Sequence, residues 1–284
     1  MKAAPPVPGS LESAADSTDR LAETFAAIAL EAGRVILDIY ESGPHVHLKA
    51  DKSPVSDADE KAETIILGAL AKLFPGLPIV AEEAMSRGEI PLIGGAFILV
   101  DPLDGTREFL SRNGEYTVNI ALVRDGAPCC GAVYAPALAR LWVGGTMART
   151  VEVGPDGMMP AADRWRPIKV RTAPPEGLTA LVSRSHCDAE TEAWLAKLPV
   201  ATRKDAGSSL KFCVLAEGAA DVYPRFGPTM EWDIAAGHAV LAAAGGTIAT
   251  VDGARLRYGK IEQGFRNPGF IAYGDPHLLE RLRA

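Results

Sequence analysis

The decapeptide DPLDGTREFL, residues 101–110, follows directly on the apolar run Ala96-Phe97-Ile98-Leu99-Val100. Two carboxylates three residues apart at the end of an apolar element are costly unless a cation neutralises them. Two further acidic stations have the same placement. Glu82-Glu83 follow Ile79-Val80-Ala81, and Asp233 heads the apolar stretch 231–244. If the stations converge, each pair of like charges about 4 Å apart costs roughly 4 kcal/mol at an effective dielectric of about 20. Several such pairs would offset much of a typical stability of about 5–15 kcal/mol. Oxygen-only donors suit a hard ion, with Mg²⁺ first and Ca²⁺ or Mn²⁺ behind it. No Cys/His pattern points to zinc.

The spacing within the decapeptide fits that chemistry. Pro102 fixes φ and turns the chain, and Gly105 permits tight backbone geometry. Asp101 and Asp104 can then bring oxygens to one or two ions, with the Leu103 carbonyl between them. Gly105 and Thr106 lead into a short helix, expected over 106–111, whose first N–H groups attract phosphate. Metal ions beside a phosphate nest outline a phosphatase that uses metal-activated water. Each station alone has a plainer explanation: a turn with an N-cap, a solvated helix start, a helix N-terminus with a favourable acid. All three at element boundaries together favour a site. Haloacid-dehalogenase-type phosphatases place their two acids two residues apart; the spacing of three here excludes that assignment.

The elements that must position these residues alternate between helix and strand. Apolar residues at helical spacing predict a helix over 19–42, stopped by Gly43-Pro44, and a second over 57–74. A polar loop, 44–57, lies between them. Strands are expected at 78–81, 96–100, 116–124, 130–134 and 141–143, with Asp125-Gly126 as a hairpin turn. Residues 154–167 hold the densest turn composition and mark a boundary between an N-terminal α+β subdomain, 19–155, and a C-terminal α/β subdomain, 165–284. In the second, strands at 178–183, 200–204, 220–223, 247–250 and 270–273 alternate with helices at 189–198, 208–217, 231–244 and after Asp275. The fold class is α/β, with the site between two halves.

A chain of 284 residues suits that division, and 48% hydrophobic with 23% charged residues describes an ordinary globular chain. A net charge of −7 gives no general attraction for nucleic acid or an anionic membrane. An anionic substrate must therefore be attracted by bound cations or local basic residues. The four cysteines form no CxxC, which indicates a reducing compartment, the cytoplasm. Residues 1–18, rich in Pro, Ala and Ser, read as a disordered leader, and no stretch is apolar enough to span a membrane.

Taken together, Ala81-Glu82-Glu83, DPLDGT at 101–106 and Trp232-Asp233-Ile234-Ala235-Ala236 resemble the inositol monophosphatase superfamily of lithium-sensitive, Mg²⁺-dependent phosphatases. KADKSPVSDAD (49–59), REFLSRNGEYTVNIALV (107–123), SRSH (183–186), NPGFIAYG (267–274) and the long stretch 207–241 resemble its bacterial 3′(2′),5′-bisphosphate nucleotidase branch. The resemblance covers residue 20 to the C-terminus and implies a layered αβαβα sandwich. It implies that Glu82, Asp101, the Leu103 carbonyl, Asp104 and Asp233 bind two or three Mg²⁺ ions. Thr106, helped by Asp59, would orient the attacking water, with Glu83 behind it. Leu103, Asp104, Gly105, Thr106 and Asp233 would meet the departing phosphate.

The implied substrate is adenosine 3′,5′-bisphosphate, cut to AMP and phosphate. His186, Ser208, Lys211 and Arg225 match positions where relatives hold the nucleotide. Lys49 and Asp51 would order the 44–57 loop over the site. Ser56 stands where the family usually has Thr and keeps the hydroxyl. A sibling activity on inositol phosphate, histidinol phosphate or a sugar bisphosphate remains open, as does a non-catalytic cation-stabilised binding protein. Thr106 and Asp59 argue against the last, because binding needs no water-orienting pair. Oligomeric state is open, a homodimer included, and so is loose attachment to the inner face of a membrane.

Overall fold

The structure is a computed structural model that describes residues 14–49, 54–183 and 188–278. Asp51 and His186 lie outside the described residues. The first helix, α1 (Ala14–Ser42), begins five residues before the expected start, so the tail of the expected leader is helical. It buries Phe25, Ala29, Ala32 and Ile36 completely. Gly43 at φ 97° ends it, its N–H donating to the Ile39 carbonyl.

The polar segment after α1 carries a short antiparallel ribbon, β1 (Val46–Leu48) and β2 (Pro54–Ser56). β1 is exposed throughout, so no hydrophobic period could reveal it. Helix α2 (Asp57–Leu73) starts at a capping box in which Ser56 and Asp59 satisfy each other's backbone. Strand β3 (Ile79–Ala81) and the short α3 (Glu82–Ser86) follow.

Strands β3, β4 (Ala96–Asp104), β5 (Thr117–Arg124), β6 (Ala127–Ala135), β7 (Arg140–Gly144), β8 (Ala148–Glu152) and β9 (Arg166–Pro167) form a seven-stranded sheet in that order. Only β3 and β4 pair in parallel. The short α4 (Thr106–Leu110) sits between β4 and β5. Strands β8 and β9 were not expected; β9 lies at the end of the turn-rich stretch 154–167. Arg166 pairs with Thr150, so this sheet extends past the expected start of the second half.

A second sheet of five strands has the order β11 (Val200–Ala206), β10 (Leu178–Ser183), β12 (Val222–Arg225), β14 (Phe270–Tyr273), β13 (Thr247–Thr250). Between its strands run α5 (Ala189–Leu195), α6 (Leu210–Ala216) and α7 (Glu231–Ala243). A further helix begins after Asp275, of which 276–278 are described.

Alternation along the strands builds the layers. On β4, Ile98 and Val100 face α1 and α2, whereas Phe97 and Leu99 face α6 and α7. β5 is therefore buried on both faces, which explains why its sequence alternates so weakly. The five-stranded sheet likewise packs Leu181, Tyr223 and Phe270 against α6 and α7 and turns Val182, Val222 and Ile271 toward Leu195 and Leu278. The outcome is an αβαβα sandwich. Gly144 lets α7 lie directly on β7: a Cβ there would stand 2.5 Å from the Ala239 carbonyl oxygen. That close approach fixes the helix that carries Asp233.

Candidate active site

Asp101 and Asp104 share one pocket because β4 contains a bulge. Asp101 pairs with Asn119 and Asp104 with Thr117, so three steps on β4 match two on β5. In a regular strand, residues three apart point to opposite faces. The extra residue at Pro102-Leu103 cancels that inversion. The Leu103 N–H donates to Asp101 Oδ1 at 3.0 Å, and Asp101 is 1% exposed.

Glu82 arrives as the first residue of α3, directly after β3. Asp233 arrives in the first turn of α7, where its Oδ2 accepts the Met230 N–H at 2.8 Å. Glu231 anchors the same turn. It is fully buried, accepts the Gly259 and Lys260 N–H groups, and pairs with the Lys260 ammonium at 2.6 Å.

Oxygens of Glu82, Asp101 and Asp233 lie within 4.8 Å of one another. Two oxygens on one Mg²⁺ at about 2.1 Å stand roughly 3–4 Å apart, so these three need draw only slightly closer to hold an ion of that kind. The donors are all hard oxygens, which suits Mg²⁺, Ca²⁺ or Mn²⁺. Asp104 is adjacent, but it lies outside that triad and its Oδ2 accepts the Ser208 hydroxyl at 2.6 Å.

The electrostatics show what the cluster needs. Burial, then the charges of Glu82, Asp104 and Asp233, push Asp101 well above the usual carboxylate range. Burial, then Asp104 and Glu82, does the same to Asp233. Burial lifts Asp104 to about 6 against the Ser208 hydrogen bond and the Lys211 charge. Burial and then Glu82 lift Glu83 to about 7. A divalent cation among these oxygens reverses each of these shifts.

Thr106 and Asp59 meet as expected. The Thr106 hydroxyl lies 3.2 Å from Asp59 Oδ1 and 3.5 Å from the Leu103 carbonyl. Asp59 is held from behind: its Oδ2 accepts the Ser56 N–H at 2.8 Å and the Ser56 hydroxyl at 2.6 Å. With the Thr106 hydroxyl donating to Asp59, Thr106 Oγ1 is left as an acceptor, the orientation needed to receive a hydrogen bond from water. Gly105, at φ 91°, is the N-cap of α4.

Lys49 reaches the site from the ribbon. Its ammonium donates to Glu82 Oε1 and Glu83 Oε1, each at 2.7 Å. Burial opposes its charge, but the two carboxylates hold its pKa above the ordinary lysine range.

The opposite wall is basic and apolar. A cavity of about 350 Å³ opens between the acids and Lys211, Tyr223, Arg225, Trp232 and Ile234. Lys211 is 4% exposed, which excludes a solvated helix face. It donates to the carbonyls of Ala206 at 3.0 Å and Ser208 at 2.6 Å, and it lies 5.3 Å from the Tyr223 ring centre. Burial lowers its pKa to about 8. Arg225 is 8% exposed and donates to the Pro228 carbonyl at 3.1 Å. Ser208 lies before α6 rather than inside it: α6 begins at Leu210, and Ser208 takes a left-handed φ of 51°.

Glu63 was absent from the sequence-based site. It is 2% exposed, accepts the Glu83 N–H at 2.7 Å and pairs with Arg87 at 3.1 Å. An acid on the buried face of α2, beside Ala62 and Ile66, was its visible signal.

A fold of this architecture, with an acid-lined site on its inner strand ends, defines a class. The chain belongs to the inositol monophosphatase family, whose model matches residues 17–281. Among its relatives, the 3′(2′),5′-bisphosphate nucleotidase CysQ of Escherichia coli strain K12 is 43% identical over 245 residues, 86% of this chain and 95% of that protein. The Buchnera aphidicola CysQ is 38% identical over 256 residues, covering 89% of this chain and 93% of that one. Among solved structures, CysQ from Bacteroides thetaiotaomicron matches with a TM-score of 0.74 and 38% identity, over 89% of this chain and 97% of that one. The Thermotoga maritima IMPase matches with a TM-score of 0.72 at 22% identity, over 93% and 96% of the two chains, and supports the fold.

Proposed function

We propose that this chain is a divalent-metal-dependent phosphatase that removes the 3′-phosphate of adenosine 3′,5′-bisphosphate, giving AMP and phosphate. One observation carries the chemistry: three carboxylates from distant stretches, Glu82, Asp101 and Asp233, converge within 4.8 Å beside a hydroxyl already committed to an internal acceptor. The choice of substrate is supported by the bacterial bisphosphate nucleotidases that are 43% identical over most of the chain.

The residues fit Mg²⁺, two or three ions, held by Glu82, Asp101, the Leu103 carbonyl, Asp104 and Asp233. Bound there, the metal supplies a water of lowered pKa and positive charge for the developing oxyanion. The chain's own groups do the rest. Thr106 Oγ1 accepts a hydrogen bond from the attacking water and so aims the water's lone pair, while Asp59 fixes the hydroxyl's direction. Glu83, held by Lys49 and by the Glu63 bond to its N–H, supports the same water from behind. The Gly105 and Thr106 amides hold the departing phosphate. Arg225 and His186 grip the phosphate that stays, while Lys211 adds charge and braces Ser208. The Trp232 and Ile234 side chains bound the cavity and limit water. A cytoplasmic location and inhibition by Li⁺ belong to the same proposal; the free thiols of Cys129, Cys130 and Cys213 suit a reducing compartment. Among the described residues no helix is long and apolar enough to cross a membrane.

Phosphate release from adenosine 3′,5′-bisphosphate and from inositol 1-phosphate, each with Mg²⁺ and with chelator, tests this. Mg²⁺-dependent cleavage with strong preference for the bisphosphate is expected. Preference for the inositol ester would move the chain to a sibling activity. Absence of any Mg²⁺-dependent release would refute the proposal.

A further inference from the structure

Thr117 and Asn119 belong to the NGEYTVNIAL stretch, and neither has a role in the chemistry so far. Both are buried, Thr117 at 0% and Asn119 at 1% exposed. They stand on β5 directly opposite Asp104 and Asp101. A chain of polar contacts runs from them to the acid cluster. Asn119 Nδ2 donates to Thr117 Oγ1 at 3.1 Å, and the Ser209 hydroxyl donates to Asn119 Oδ1 at 2.7 Å. Thr117 Oγ1 lies 2.8 Å from Ser209 Oγ and 2.5 Å from Ser208 Oγ. The Ser208 hydroxyl ends the chain on Asp104 Oδ2 at 2.6 Å.

Counting protons gives the chain a direction. Each hydroxyl has one proton. Ser209 gives its proton to Asn119 Oδ1, and Ser208 gives its proton to the Asp104 carboxylate. Thr117 already receives from Asn119, so its own proton faces Ser208 and Ser209, and the shorter contact, to Ser208 at 2.5 Å against 2.8 Å, favours Ser208. Ser208 is thereby supplied with a donor at its back while its proton faces Asp104. The turn that presents Ser208 is held on other sides too. The Gly207 N–H donates to Glu115 Oε2 at 2.7 Å, and Lys211 ties down the Ala206 and Ser208 carbonyls. Ser208 tolerates a left-handed φ of 51° under these constraints. A non-glycine residue in that region persists where its surroundings over-determine it.

We infer that Thr117 and Asn119, acting through Ser208, are positioning residues that fix the aim of the Asp104 carboxylate toward the cation site and couple the α6 turn to β5. The inference rests on the proposed metal-binding role of Asp104. Groups that orient a metal ligand typically contribute about 10–100-fold in metal affinity or activity.

The test is Mn²⁺ binding by titration calorimetry to the substrate-free protein, with kcat and KM measured alongside. Thr117→Val, which keeps the shape and removes the hydroxyl, is expected to weaken Mn²⁺ about 10–100-fold and to lower kcat with KM unchanged. Thr117→Ser is expected to restore both. A purely structural hydroxyl would lower the melting temperature and leave Mn²⁺ affinity alone; wild-type affinity in a folded Thr117→Val overturns the inference. If that variant does not fold, Ser208→Ala decides by the same criterion, weakened Mn²⁺ supporting the inference and wild-type affinity overturning it. Wild-type protein and Asp104→Asn serve as controls. Loss of Mn²⁺ binding by wild-type protein would sink the proposed function and this inference with it. Normal wild-type binding, weakened in Asp104→Asn but untouched in Thr117→Val, would sink this inference alone.

Discussion

The two walls of the cleft solve opposite problems. The wall built by β3 and β4 gathers Glu82, Glu83, Asp101 and Asp104 with Lys49 as its close cation. The wall built by α6 and β12 carries Lys211 and Arg225, and each is already bonded to backbone carbonyls. Burial nonetheless lowers Lys211 to about 8, so the basic wall is short of negative charge. The acidic wall is short of positive charge: burial holds Asp101 and Asp233 well above the usual carboxylate range and Asp104 at about 6. A cleft short of positive charge on one side and of negative charge on the other is built to take up metal ions and a phosphate ester together.

The sharpest way to break that contrast is Asp101→Asn. Turnover should fall by on the order of 10³-fold, as for loss of a principal transition-state electrostatic group. The same change should raise the stability of the metal-free protein by about 0.5–2 kcal/mol, because it removes a buried charge from an uncompensated cluster. Urea unfolding in chelator, beside steady-state rates, checks both. A variant that is both slower and less stable would contradict an acidic wall in deficit.

Next in size is Thr106→Val. It should lower kcat by about 10²-fold, in the range of lost proton-transfer assistance, and leave KM and metal affinity near wild type. Weakened metal binding would instead make Thr106 part of the cation's holder.

The smallest effect is in pH. Asp104 and Glu83 titrate near 6 and 7 in the fold, above their usual values. The metal-free native state therefore holds more protons than the unfolded chain across roughly pH 4–7, and these groups' contribution to stability falls as pH rises through that window. Metal binding expels those protons, so Mg²⁺ affinity should climb with pH, by up to about tenfold per unit for each proton released. The gain in melting temperature on adding Mg²⁺ should be larger at pH 8 than at pH 5. Equal gains would mean that the carboxylates are already ionised.

The same contrast explains what could be read from the sequence. Acids at the ends of apolar runs are visible as residues, and the structure draws three of those singled out, Glu82, Asp101 and Asp233, together. Helices α1 and α2 follow from their apolar spacing and stops, and α7, apolar on nearly every side, from its Gly245-Gly246 stop. How Asp101 and Asp104 come to share a pocket was not visible, because the bulge is defined only by the partner strand. The ribbon β1–β2 has no buried period on β1. Thr117 and Asn119 look like ordinary strand residues; their meaning comes from Ser208 and Ser209, about ninety residues away. Lys211 was legible through the resemblance, but its burial and its bonds to the Ala206 and Ser208 carbonyls were not. Local pattern reveals acids and elements, whereas long-range pairing decides who meets whom.

The most direct measurement is a crystal structure of the protein soaked in Mn²⁺, with the metal located by its anomalous scattering. Manganese should appear bonded to Glu82, Asp101 and Asp233, with Lys49 moved off Glu82. A protein that takes up Mn²⁺ elsewhere and leaves these three carboxylates without metal would contradict the account.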